Sequence, residues 1–373
     1  MKSLFFALMF CASTAFGGCL QFEGNLLESF NCTGLPTIDK YYQPSTFKWK
    51  GREYLAVNRG NELNFYNITT TPGAPLPHGG TRFHVGNQGD SNHDLVSFSI
   101  CDDCRFGVAA YKKGTVIFDL GTGDDPRIPS VNGWKFYPPT SGEPSRMTFS
   151  YRAMPSQYVI SKDLPNPING KVTVYRIDSV TTLTPIMKFP YPPGAFHYPV
   201  SRGFDRGTYL WLALGSGEAI YSYRKSGENL VYVSDTRMRG ALSVRGNRAV
   251  TGQSGAIANG LKLWDVTDPC SARELFTYAG KYRTVSYGGK FIVVSDKAEK
   301  IHTLAVENDQ IVLVDEPFWR SGNPWNDDLP AECTTPMGSV FNAGGRWSYV
   351  SRYSAVQKIN FTGCYEASPG VPQ

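Results

Sequence analysis

Short apolar segments separated by turn residues recur along most of the chain. The stretch FKWKGREYLAVNRGNELNFYNI, residues 47–68, shows the unit: an apolar strand, a tight turn, a second strand, a polar turn and a third strand. The segments are rich in β-branched and aromatic residues and are bounded by Gly, Pro, Asn, Asp or Ser. A sustained helical period is almost absent. The pattern therefore predicts an all-β protein.

The unit occurs seven times, and each copy leaves room for a less regular fourth strand. The copies are residues 47–68, 96–120, 147–177, 198–223, 241–266, 284–306 and 338–361. Successive copies begin about 50 residues apart, which is the length of one four-stranded propeller blade. We therefore predict a seven-bladed β-propeller.

The seventh copy reaches the end of the chain before a fourth strand. The segment LQFEG, residues 20–24, is a suitable apolar strand, and we expect it to complete the last blade. Such ring closure removes two exposed sheet edges. Cys364 follows the third strand of that blade, so a disulfide to Cys19 or to Cys32 would lock the ring, and the sequence leaves the partner open.

Two stretches resemble a known repeat family. GLKLWDVTDPCSARELFTY, residues 260–278, is close to the G-L-x-V-x-D-V-S-D-P pattern of LVIVD-type propeller repeats, which are related to WD40 repeats. HDLVSFSI, residues 93–100, is similar to the H-D-V opening of an inner strand in the same repeats. The resemblance implies the fold only, because propellers host many unrelated functions.

The N-terminus has the features of a secretory signal peptide. Lys2 precedes an apolar run, and small residues at positions 15 and 17 fit a cleavage site. We expect residues 1–18 to be removed, residues 19–373 to form one domain, and the protein to be secreted. No other apolar run reaches membrane length, so we expect no membrane partner. The predicted N-glycosylation sites are Asn31, Asn67 and Asn360.

Two cysteines flank two aspartates in CDDC, residues 101–104, at the turn between the first two strands of the second copy. Cysteines that flank a two-residue hairpin turn face each other at a separation that a disulfide bridges. A redox C-x-x-C usually opens a helix, and a zinc site needs a second cysteine pair at suitable spacing. We therefore predict a disulfide between Cys101 and Cys104.

Charge and motifs narrow the classes of ligand. The net charge of +5 is modest for 373 residues, which does not favour a nucleic-acid partner. Metal-binding spacings such as H-x-H or H-E-x-x-H are absent, as are a P-loop and a dinucleotide fingerprint in a strand–helix setting. We expect no cofactor and no metal site, and we expect a monomer.

The residues before each first strand predict a basic channel mouth. The first strand of every propeller blade lines the central channel, and its start faces the end where ligands usually bind. Cations and imidazoles outnumber acids there, and a concave mouth of one charge sign attracts the opposite sign. The predicted substrate-binding residues are Arg146, Tyr198, Arg239 and Arg283.

An acidic glycan is the ligand that we predict for this mouth in an extracellular protein. Secreted propeller lyases use a similar set of residues, in which a cation neutralises a uronate carboxylate while a base and an acid drive β-elimination. The predicted catalytic residues are His84, His93, Tyr151 and His197. The alternative is a non-catalytic, lectin-like or protein-binding propeller, and the sequence leaves both readings open.

Overall fold

The chain forms a closed ring of antiparallel sheets. The structure, a computed structural model, describes residues 20–26, 44–59, 62–83, 85, 95–111, 114–138, 149–162, 164, 166–194, 200–215, 219–252, 260–296, 301–318, 336–352 and 356–366. Within these ranges, 28 strands form seven four-stranded sheets. The prediction of an all-β seven-bladed propeller is confirmed.

Six blades are built from four consecutive strands each. Blade 1 contains β2 (Ser45–Trp49), β3 (Arg52–Arg59), β4 (Glu62–Asn67) and β5 (Leu76–Arg82). Blade 2 contains β6 (Leu95–Ser99), β7 (Phe106–Tyr111), β8 (Gly114–Asp119) and β9 (Trp134–Tyr137). Blade 3 contains β10 (Phe149–Ala153), β11 (Ser156–Ser161), β12 (Thr173–Ser179) and β13 (Thr182–Lys188).

The next three blades repeat the same order. Blade 4 contains β14 (Val200–Arg206), β15 (Tyr209–Leu214), β16 (Ala219–Ser226) and β17 (Asn229–Arg239). Blade 5 contains β18 (Ala241–Arg245), β19 (Arg248–Gly252), β20 (Leu261–Asp265) and β21 (Arg273–Tyr278). Blade 6 contains β22 (Tyr282–Tyr287), β23 (Phe291–Asp296), β24 (Ile301–Glu307) and β25 (Gln310–Phe318).

Blade 7 joins the two ends of the chain. Its first three strands are β26 (Pro336–Phe341), β27 (Trp347–Arg352) and β28 (Val356–Asn360), and its outer strand is β1 (Gln21–Asn25). β1 pairs antiparallel with β28, with Gln21 opposite Asn360. A short helix, α1 (Thr362–Glu366), follows β28. The ring is therefore closed by backbone hydrogen bonds between an N-terminal and a C-terminal strand.

The core lies between neighbouring blades. The second strand of a blade is covered on both faces by adjacent blades. All six residues of β7 are therefore buried, and its sequence is a continuous apolar run. Between blades 1 and 2, for example, Phe47, Tyr54 and Phe118 belong to one buried cluster. This two-sided burial explains why the strands show little apolar–polar alternation.

The third strand of four blades ends in the same side-chain cap. The Oδ1 atom of one Asn or Asp accepts the backbone N–H two residues further on, and the apolar residue between them is fully buried. The capping residues are Asn67, Asp119, Asp265 and Asn360. Two of the three sequons therefore stand at a position that the blade itself requires to be Asn or Asp.

Candidate functional site

A cavity of about 1080 Å³ occupies the centre of the ring and is lined by the first strands of all seven blades. Six of these strands contribute serine or threonine residues to its wall. Aromatic side chains from three adjacent blades, Phe98, Phe149 and Phe204, also line it. The cavity thus combines hydroxyl groups with apolar surface, as ligand sites commonly do.

Charged residues of the wall are concentrated on blades 3 and 4. Arg152 lies on β10, Arg202, Asp205 and Arg206 lie on β14, and Lys225 lies on β16. The Lys225 Nζ atom is 2.8 Å from the Asp205 Oδ1 atom, so these two charges neutralise each other. The guanidinium groups of Arg152, Arg202 and Arg206 therefore give this part of the wall a positive charge.

None of the three arginines has a carboxylate partner among the described residues. Arg202 has no hydrogen bond or ion pair there. Arg152 donates to the backbone oxygen of Asp103, at 3.3 Å. Arg206 donates to the backbone oxygens of Gly246, at 3.0 Å, and Val266, at 3.5 Å, and its guanidinium carbon lies 5.0 Å from the centre of the Trp211 ring.

Burial makes the uncompensated charge of Arg206 costly. Its Nε atom is buried and has no hydrogen-bond partner among the described residues. Desolvation lowers the pKa of this guanidinium, and no acid in the described part of the chain offsets the effect. An anionic ligand in the cavity would supply the missing counter-charge.

The turns between the first and second strands of all blades form one surface, which we name the turn face. Its turns are residues 50–51, 100–105, 154–155, 207–208, 246–247, 288–290 and 342–346. Met154 of the third turn lines the cavity mouth and is 72% exposed. The turn face therefore contains both the rim of the cavity and an exposed apolar side chain.

Hydrogen bonds connect the turns of blades 1 to 4 across their boundaries. The carboxylates of Asp102 and Asp103 accept the backbone N–H groups of Lys48 and Lys50, each at 2.8 Å. Arg152 then contacts the backbone oxygen of Asp103, and the Lys225 ammonium donates to the backbone oxygen of Arg152 at 2.9 Å. The two aspartates between the cysteines thus serve as acceptors for the neighbouring blade.

The connections continue around the ring and return to blade 1. Arg206 bridges blades 4 and 5 through Gly246, as given above. Arg245 reaches past the turn of blade 6 and donates to the backbone oxygen of Asn342 at 3.2 Å. The Ala343 N–H donates to Glu53 Oε1 at 2.5 Å, which joins blade 7 to blade 1. The turn face is therefore fixed by bonds between blades as well as within them.

Glu53, which accepts the bond that joins blades 7 and 1, has a perturbed pKa. Burial raises the pKa of its carboxyl from 4.5 to about 7. The Ala343 N–H and the cations Arg245 and Lys48 oppose this rise, and Asp102 adds to it. The link between the first and last blades therefore contains a carboxyl group that titrates near neutral pH.

Two of the described site candidates have other roles. Tyr151 lies in the core between blades 3 and 4, where it is 1% exposed and stacks on Tyr158 at 5.4 Å, and it does not line the cavity. This burial removes the basis for its predicted catalytic role at the channel. Arg239 is held by both carboxylate oxygens of Asp235, at 2.8 and 2.6 Å. Its charge is therefore already neutralised.

The remaining site candidates lie in parts of the chain that the structure does not describe. His84, His93, Arg146, His197 and Tyr198 lie outside the described residues, as does the side chain of Arg283. Asn31 and Cys19 also lie outside them. Within the part of the chain that the structure describes, no group of three or more His, Cys, Asp or Glu residues could hold a metal ion, and no helix is long and apolar enough to cross a membrane.

The described cysteines include both disulfide-bonded residues and a free thiol. Cys101 and Cys104 form the predicted disulfide, with a Cα–Cα distance of 5.2 Å. Cys364 is also disulfide-bonded. Cys270 is a free cysteine and is half-buried.

Sequence reasoning missed the three arginines of the cavity wall. Apart from Tyr151, it considered residues that precede the first strands, whereas these arginines lie within them. The segment SRGFDR, residues 201–206, places Arg202 and Arg206 four positions apart, so both point to the same side of β14. Basic residues at even spacing in an inner strand are the signal that could have found them.

Fold and cavity together define this protein as a seven-bladed β-propeller with a polar central cavity. No protein-family model matches the chain, and no curated protein matches it. The resemblance to LVIVD-type repeats therefore stays a prediction.

Two solved structures of similar fold are a WD40 domain and a β-propeller domain. The WD40 domain of Pan2 from Neurospora crassa has a TM-score of 0.54 and 10% identity, over 95% of this chain and 97% of that one. The β-propeller domain of Cps50 (Swd1) from Myceliophteria thermophila has a TM-score of 0.57 and 9% identity, over 92% of this chain and 100% of that one. At such low identity the similarity shows the fold alone.

Proposed function

We propose that the protein is a non-catalytic, secreted binding propeller that holds a protein partner on its turn face. The observation that carries this proposal is the chain of hydrogen bonds that fixes the turns of neighbouring blades to one another. A surface that is ordered before binding loses little conformational entropy when a partner docks. Such preorganisation suits a binding scaffold.

An exposed anchor supports a protein as the partner. Met154 is 72% exposed on the rim of the cavity, beside the wall that includes Phe149. Methionine adapts to irregular apolar surfaces and is favoured where proteins meet. A hydrophilic polysaccharide offers less apolar surface to such a residue.

Secretion is supported by the cysteines and by the N-terminal residues. The Cys101–Cys104 disulfide is of the kind that persists in oxidising compartments. The apolar run after Lys2 fits a signal peptide. Two of the sequons add less to this proposal, because the blade geometry accounts for Asn67 and Asn360.

A lyase that cleaves an acidic glycan is the competing prediction. Its histidines lie outside the described residues, and Tyr151 packs in the core. The positive wall would attract a uronate chain as well as an acidic protein, so the experiment must separate the two.

Photo-crosslinking from the turn face tests the proposal. A benzophenone-bearing residue replaces Met154, and in a control variant it replaces Leu313, which is 38% exposed on the outer strand of blade 6. Each variant is irradiated with the extracellular proteins of its source. We expect one discrete protein adduct from position 154, lost when unlabelled wild type competes and absent from position 313. Equal labelling at both positions contradicts the proposal, as does release of unsaturated product from a uronate polysaccharide.

A further inference from the structure

We propose that the cavity wall of blades 3 and 4 binds an extended, carboxylate-rich peptide segment through Arg152, Arg202 and Arg206. The inference rests on the proposed function, because it names the part of a protein partner that enters the cavity. It depends on the charges of the first strands, whereas the proposed function also rests on the bonds between the turns and on the exposed Met154.

The three arginines of the cavity wall lack a counter-charge among the described residues. Lys225 and Asp205 form a pair, and the Asp102 carboxylate is bonded to the Lys48 N–H. The three guanidinium groups have no such acid among the described residues. A charged group that is partly removed from water gains most from a partner of opposite sign, and guanidinium binds carboxylate with two parallel hydrogen bonds. The class of ligand that fits is therefore a carboxylate.

The spacing of Arg202 and Arg206 along β14 fits an extended peptide. Arg202, Phe204 and Arg206 project to the same side of this strand, because side chains alternate and the pairing of β14 with β15 is regular from Arg202 onward. The two arginines are about 13 Å apart along the strand at about 3.3 Å per residue. One carboxylate cannot contact both. Two acidic residues four positions apart in an extended peptide match the spacing.

The shape and the chemistry of the cavity also suit a peptide. The first strands run along its length, so an extended segment can lie beside them, and about 1080 Å³ is at the upper end of the usual range of ligand pockets. Hydroxyl groups such as Ser243 and Ser339 can bond to peptide groups. Phe149 and Phe204 offer apolar contact for residues between the two acids. This mixture favours a peptide over a polyuronate.

The remaining arginine extends the path to the turn face. Arg152 lies on β10 two residues before Met154, and both line the cavity. A segment that contacts Arg202 inside the cavity can therefore leave past Arg152 and Met154. The proposed peptide site and the proposed docking surface are continuous.

Calorimetric titration of the whole protein tests the inference. The probe is the peptide Glu-Leu-Glu-Leu-Glu-Leu-Glu, which places acids four positions apart, and its glutamine counterpart is the neutral control. We expect the glutamate peptide to bind and the glutamine peptide not to bind. Added salt should weaken binding, because screening reduces attraction between charges.

Arg202→Met is the decisive variant, because no protein group depends on this side chain among the described residues. We expect it to weaken binding about tenfold or more, the loss expected when one partner of a desolvated charge pair is removed. Arg202→Lys should restore part of the affinity, since it keeps the charge without the planar fork. Arg127→Met, which removes an exposed charge outside the cavity, should leave the affinity unchanged.

Three results would overturn the inference. They are failure of the wild type to bind the glutamate peptide, equal affinity of the Arg202→Met variant, and binding of oligogalacturonate in place of the peptide. Any of these together with a discrete adduct from position 154 refutes the peptide site and leaves the proposed function standing. Loss of that adduct with peptide binding intact refutes the docking surface instead.

Discussion

Replacing Glu53 by glutamine should make the protein more stable above neutral pH. The carboxyl links blade 1 to blade 7 through Ala343, and its pKa is raised from 4.5 to about 7 by burial. Because the folded-state pKa lies above the ordinary value, folding favours the protonated form. The stabilisation from this form is complete below about pH 4.5 and is lost as the pH rises through 7.

The size of the effect follows from the two pKa values. A rise from 4.5 to about 7 corresponds to at most about 3 kcal/mol lost at pH 8, and partial exposure of Glu53 reduces this. Glutamine is neutral at every pH, and its Oε1 atom can still accept the Ala343 N–H. For a chain of this length, 3 kcal/mol corresponds to about 4 °C in Tm.

Thermal unfolding of wild type and Glu53→Gln between pH 4 and pH 8 measures the effect. The two proteins should have similar Tm values near pH 4, and the variant should be the more stable of the two at pH 8. Glu53→Ala serves as a control, because it removes the acceptor and should lower Tm at acidic pH. Parallel pH profiles for wild type and Glu53→Gln would refute the reasoning.

Two further predictions concern the turns. Replacing both Cys101 and Cys104 by serine should lower the free energy of unfolding by about 2 kcal/mol, the loop-entropy term for so short a loop, whereas Cys270→Ser should have little effect in the same denaturant titration. Gly345→Ala should be destabilising by more than Gly51→Ala: both have positive φ, but a Cβ at Gly345 would lie 2.0 Å from a backbone oxygen while the space around Gly51 is open. Equal unfolding midpoints for the two alanine variants would contradict this.

The fold could be predicted because it is encoded locally and repeated. Each blade needs only neighbouring strands and short turns, so apolar segments such as β7 and turn residues such as Gly51 mark its elements directly. The Cys101–Cys104 disulfide was equally readable, because its geometry depends on one turn. Long-range pairing was not needed for either prediction.

The candidate site could not be predicted in the same way. Arg239 and Arg202 are alike in sequence, yet Asp235 neutralises the first and no described residue neutralises the second. Tyr151 lies on a first strand, as the cavity-lining residues do. Its side chain, however, points into the core, where it stacks on Tyr158. Only the position of neighbouring groups in space separates these cases.

By itself the sequence determined the number of blades, the approximate place of each and the hairpin disulfide, because these follow from the order of apolar and turn residues over short distances. The tertiary structure decided which charges remain uncompensated and which bonds fix the turn face. The Glu53–Ala343 bond joins residues 290 positions apart. Electrostatic compensation depends on distance through space, and distance along the chain carries little information about it.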